Sequence, residues 1–132
     1  MNLLLDTHIA IWALTDRPRI LPAALDLIAD PANSIFVSTA TIWEIAIKFP
    51  LAKRQGAPPF SGLDAISFFS DAGFTILGIT PAHAAAVATL ATHHTDIFDR
   101  LIIAQALYEP MRLVMADVIV ARYSDTIILA SG

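Results

Sequence analysis

Asn2-Leu3-Leu4-Leu5-Asp6-Thr7-His8 decides how this chain is read. Three consecutive leucines predict a short buried strand over 2–5, and the acid that follows stands where that strand ends. A helix from about His8 to Leu14 comes next and stops near Arg17-Pro18. Pro22 opens a second helix running to Asp30, because proline is tolerated in a first helical turn and Pro31 forbids continuation.

Working outward, Ser34-Ile35-Phe36-Val37 reads as a second strand, with Ser38 or Thr39 capping a helix that ends near Phe49 because Pro50 follows. Ala57 to Gly62 is a proline-rich loop, and Asp64 to Asp71 a short helix expected to carry Phe68 and Phe69 inward. Phe74 to Leu77 is a third strand. Thr80-Pro81 starts a helix over Ala82 to Leu90, and Asp96 caps another that runs to about Glu109. Leu113 to Met115 is a fourth strand and Thr126 to Leu129 a possible fifth at the edge. Strands alternating with helices predict an α/β/α sandwich around a central, largely parallel sheet of four to five strands. At 132 residues the chain is expected to form one domain, 1–132.

The chain has no cysteine, which excludes disulfides, thiolate zinc sites and cysteine nucleophiles. Any metal must therefore be held by oxygen or imidazole. A net charge of −4 argues against plain electrostatic attraction to nucleic acid, although bound cations would reverse the sign locally. The basic residues Lys48, Lys53 and Arg54 cluster after Glu44, and Arg100 follows Asp99. At 56% the hydrophobic content is high, yet no window reaches the roughly 18 apolar residues of a membrane span. The surplus is expected to cover an interface with a second copy or a partner. Asp6 interrupts the first apolar run with no basic residue before it, so a secretory signal is not expected and the cytoplasm is.

Four carboxylates sit where apolar elements begin or end: Asp6, Glu44, Asp99 and Asp117. Ligands of open parallel sheets bind beyond the carboxyl ends of the strands, where Asp6 and Asp117 fall. Each acid also has a plain structural reading. Asp6 suits a helix cap, Asp117 a turn, and Asp99 the first turn of a helix whose dipole favours an acid. Glu44 lies in the apolar run Thr41 to Ile47, where an unpaired carboxylate is costly unless it occupies an exposed stripe and supports Lys48 one turn on. Gathered in one crevice, such acids repel each other unless cations neutralise them. An all-oxygen site suits Mg²⁺ or Mn²⁺, and the chemistry it serves best is phosphodiester hydrolysis by an activated water. His83, His93 and His94 lack metal-ligand spacing with these acids; His8 reads as a surface histidine at a helix start, or else as a group that orients the residues around the site, while Thr7 and Ser38 are hydroxyl donors expected near the site.

These residues together resemble the PIN-domain ribonuclease family, and specifically the VapC toxins of toxin–antitoxin pairs. The resemblance rests on Leu3 to His8, on Ser38 with Trp43 to Lys48, on His94 to Ala106, and on Leu113 to Asp117 with Tyr123. It implies a PIN-like fold and a metal-dependent endoribonuclease. Asp6 and Asp99 would be the principal ligands of Mg²⁺ or Mn²⁺, Glu44 and Asp117 would complete the catalytic set, and Asp96 is the next candidate. It further implies a homodimer, with higher toxin–antitoxin assembly, silenced by a VapB-like antitoxin lying across the groove. DNA would be met only through the antitoxin. The chain departs from the family pattern at Thr95, Ile97 and Met115, where relatives usually carry a basic residue, proline and threonine. Two other readings are weaker. An aspartate-based phosphatase would need a second acid where His8 stands, and a non-catalytic interaction module leaves the intact acid set without purpose.

Overall fold

The leucine run forms the centre of the sheet. In the computed structural model, which describes residues 1–51, 56–90, 96–116 and 127–129, β1 (Asn2–Leu5) pairs in parallel with β2 (Ser34–Ser38) on one side and β4 (Arg112–Met115) on the other. β3 (Thr75–Leu77) and β5 (Ile127–Leu129) complete a five-stranded, all-parallel sheet of order β3-β2-β1-β4-β5. Leu3, Leu4 and Leu5 are all fully buried, as a strand covered on both faces requires.

Alternation along β1 divides the core in two. Leu3 and Leu5 join Ile9, Ala10, Val37, Ala65, Phe69 and Val114 on one face, under α1 (Thr7–Thr15), α2 (Pro22–Ala29) and α4 (Gly62–Asp71). Leu4 points the other way with Leu113 and Met115, against Ile102, Ile103 and Ala106 of α6 (Ile97–Tyr108). Two helical layers around one sheet make the α/β/α sandwich. The remaining helices are α3 (Thr39–Lys48) and the short α5 (Pro81–Ala86).

Several ends differ from the sequence reading. α1 begins at Thr7 because Asp6, in extended geometry, caps it. α4 begins at Gly62 because Ser61 accepts the Asp64 N–H, two residues before the acid expected to start it. Phe69 is buried as expected, but Phe68 is 43% exposed, since the buried face of α4 follows Gly62, Ala65 and Phe69 at helical spacing. Phe68 instead meets Phe60 edge-on at 5.3 Å. α4 ends in a Schellman turn: Gly73, at φ +85°, lets the Phe74 N–H reach the Phe69 carbonyl at 3.0 Å and its own N–H reach that of Ser70.

Gly62 is where α4 approaches α3. A methyl group there would lie 2.9 Å from Ala46 Cβ and 3.2 Å from Ala46 Cα. Gly62→Ala is therefore expected to cost about 1–3 kcal/mol by forcing the helices apart, read as a lower urea midpoint. An unchanged midpoint would show that the helices separate freely.

Candidate metal centre

The strand order reverses between β1 and β4: the chain first builds outward through β2 and β3, then returns to the other side. Such a switch point opens a crevice at the carboxyl ends of the two strands. Asp6 stands in it. Its backbone N–H continues the ladder to the Val114 carbonyl at 3.0 Å, while its side chain is held from two directions. Oδ1 accepts the Ile9 N–H at 2.8 Å as the cap of α1, and Oδ2 accepts the Ala116 N–H at 3.1 Å from the end of β4. The cap and the site are thus the same residue.

Asp6 is 2% exposed, and burial is the main reason its carboxyl is pushed up from 3.8 to about 6. The two backbone donors and His8 oppose that shift, and the charge of Glu44 adds to it. Two buried acids are therefore close enough for the charge of one to act on the other, in a medium that disfavours both charges.

Glu44 reaches the crevice from α3. Ser38 places this helix by accepting the Ala40 N–H at 2.9 Å, immediately after β2 ends. Glu44 is buried, so the exposed-stripe reading fails, yet its expected partnership with Lys48 one turn on does form through Oε2. The other oxygen, Oε1, is buried without a hydrogen-bond partner among the described residues. A carboxylate oxygen left so is expensive, and a cation is the natural complement of a buried, orphaned lone pair.

Asp99 lies in the first turn of α6, half-buried, and its N–H is bonded to Asp96 Oδ1, which also caps the Phe98 N–H. The start of α6 packs on α3 through Trp43 and Phe98, whose rings meet edge-on at 4.9 Å; Lys48 Nζ lies 5.9 Å from the Phe98 ring. Asp99 thus stands on the helix that borders Glu44. Among the described residues no three His, Asp or Glu side chains gather tightly enough to hold a metal by themselves. Asp117 lies outside the described residues, as do His93, His94, Thr95, Lys53, Arg54 and Tyr123. The donor set fits a hard cation in kind: oxygen only, two acids buried, one oxygen orphaned.

Thr7, next in sequence to Asp6, and Ser38, at the end of β2, each have a structural partner. Thr7 Oγ1 meets Thr41 Oγ1 at 3.1 Å, tying α1 to α3, and Ser38 Oγ donates to Gln105 Oε1. Met115 is fully buried in the core beneath α6.

Gln105 and His83 were not singled out in the sequence as parts of one network. Both are fully buried. Gln105 Nε2 donates to the Gly78 carbonyl at 3.2 Å, and His83 Nδ1 accepts the Thr80 N–H at 3.1 Å. That bond places the His83 proton on Nε2, which donates to Glu109 Oε1 at 3.1 Å. The signals were present: a glutamine inside an apolar helix, and a histidine at the third position after a Thr-Pro start. Gln105→Leu should cost about 2 kcal/mol by leaving the Ser38 O–H without an acceptor and the Gly78 carbonyl without the amide donor, measured by urea unfolding. A neutral result would mean that water replaces the amide.

The PIN domain family model matches residues 3–125. None of the curated proteins matches the sequence significantly. Among solved structures, the chain is similar to VapBC2 from Rickettsia felis bound to a DNA fragment from its promoter, at 21% identity and TM-score 0.67, covering 98% of this chain and 97% of that one. VapBC-5 from Mycobacterium tuberculosis matches at 18% identity and TM-score 0.63, covering 99% and 98%. VapC20 of the same organism, a sarcin–ricin loop cleaving toxin, matches at 13% identity and TM-score 0.57, covering 91% and 94%. These identities speak for the fold, and the family match spans nearly the whole sequence. The chain belongs to the PIN domain family.

Proposed function

We propose that the protein is a metal-dependent endoribonuclease and the toxin of a VapBC-type pair, hydrolysing RNA phosphodiester bonds. The observation that carries this reading is the pair of buried acids at the sheet's switch point, Asp6 with its raised carboxyl pKa and Glu44 with an orphaned Oε1. Asp6 and Asp99 would be the principal ligands, completed by Glu44 and Asp117. A Mg²⁺ or Mn²⁺ ion bound there would supply an activated water and charge neutralisation for the phosphate. The chain's own residues do the rest. Ile9 and Ala116 N–H groups fix the Asp6 carboxylate in one orientation, and Lys48 pairs with one Glu44 oxygen while the other has no hydrogen-bond partner among the described residues.

Several solved neighbours carry VapBC in their names, one with promoter DNA. By likeness to them, a VapB-like antitoxin would cover the groove, an Arg or Lys of its tail pairing with the acids. DNA would be met through that partner. Exposed apolar side chains on α3 and α4, among them Trp43, Ile47 and Leu63, support a homodimer or partner interface. No helix among the described residues is long and apolar enough to cross a membrane, in keeping with a cytoplasmic toxin.

The test is cleavage of a panel of structured and single-stranded RNAs by purified protein, with Mg²⁺ and with chelator. Cleavage lost to chelator and restored by Mg²⁺ or Mn²⁺ is expected, together with a dimer by light scattering. Chelator-insensitive cleavage would exclude the metal, and no cleavage of any RNA would favour a non-catalytic module.

A further inference from the structure

A cavity of about 760 Å³ opens beside Asp6 on the outer side of α1, within the size range of small-molecule sites. It is lined by Ala116, whose N–H holds Asp6, by His8, Trp12, Asp16 and Arg19, and by Pro58 of the proline-rich loop. Three flat groups line it in sequence. The His8 and Trp12 rings are 5.7 Å apart at 42°, and the Arg19 guanidinium lies 4.4 Å from the Trp12 ring centre. His8 and Arg19 are exposed, and the half-buried Trp12 carries the Arg19 guanidinium over its ring, so a flat guest would extend this stack from the exposed His8 and Arg19.

We infer that this ladder is a base-binding subsite, which seats an unpaired nucleobase of single-stranded RNA next to the carboxylates. The inference rests on the RNA substrate proposed above. Bases stack on aromatic rings and guanidinium planes alike, and such contacts tolerate sequence because every base has a π-face. Asp16 on the same rim decides between base and backbone. A carboxylate repels a run of phosphates but accepts the amino groups of a base, while Arg19 compensates a single phosphate. Flat groups in series also favour a flat guest over a peptide. A base held here would bring its own phosphodiester toward Asp6, and base-paired RNA would be excluded because its bases are already stacked.

The test uses Trp43→Phe, which leaves Trp12 as the sole tryptophan of the chain's two. In chelator and low salt, where no metal-dependent cleavage proceeds, an eight-nucleotide single-stranded oligoribonucleotide should quench Trp12 emission, and a duplex of the same sequence should not. Arg19→Gln, an exposed change that spares the fold, should weaken binding about 5- to 100-fold. Trp12→Leu should weaken it as much in an anisotropy measurement. Unquenched Trp12 at saturating oligoribonucleotide, or undiminished affinity in Arg19→Gln, overturns the subsite. Quenching by an antitoxin peptide with none by RNA overturns it in favour of a peptide site. Quenching by RNA in a protein that cleaves nothing with Mg²⁺ upholds the subsite while refuting the nuclease.

Discussion

Asp6→Asn is expected to lower Mg²⁺-dependent RNA cleavage about a thousandfold, equivalent to about 4 kcal/mol of transition-state stabilisation. The amide oxygen can still cap α1 by accepting the Ile9 N–H, so the helix survives. What disappears is the negative charge, together with the bond from Ala116, which an amide NH₂ cannot accept. Loss of that bond destabilises the fold, but removal of a buried charge offsets it. Stability in chelator should therefore stay within about 1 kcal/mol of wild type near pH 7 while activity collapses. If cleavage persists, Asp6 is only a cap. If activity and stability fall together, its role is structural.

The second large effect is on stability against pH. With the Asp6 pKa at about 6 folded against 3.8 for an unperturbed carboxyl, the folded state binds the proton more tightly across that window. Metal-free stability from this group is therefore greatest below pH 4, declines as pH rises to about 6, and is lower by about 2–3 kcal/mol above it. Other carboxylates titrate in the same range with opposite sign, so the informative quantity is the stability of Asp6→Asn minus that of wild type. This difference should climb between pH 4 and 6 and level off near pH 7. Mg²⁺ at a hundred times its dissociation constant should return about 2.7 kcal/mol to wild type at pH 7.5 and little to the variant. A pH-independent difference would mean that Asp6 is not the strained group.

The strand framework was legible because each strand is a short apolar run bounded by turn residues, and because Leu3, Leu4 and Leu5 without alternation demand cover on both faces. Asp6 and Glu44 were legible for one physical reason: acids inside apolar segments are expensive and so conspicuous. Phe68 was misplaced because α4 offers more apolar residues than its buried face can take, and composition does not say which of two adjacent phenylalanines turns inward. In the sequence, cap and crevice acid stand as alternative readings of Asp6, whereas one side chain does both. Only the juxtaposition of β1 with β4 brings the Ala116 N–H to a side chain 110 residues away in sequence. The Ser38–Gln105 bond spans 67 residues and needed the fold for the same reason.

The most direct measurement is anomalous diffraction from crystals soaked in Mn²⁺. A peak is predicted in the crevice with Asp6 and Asp99 as its principal ligands, and with Glu44, through Oε1, and Asp117 completing its shell directly or through water. Absence of any peak there at saturating Mn²⁺, or a peak held by other residues, would contradict a metal centre built on these acids.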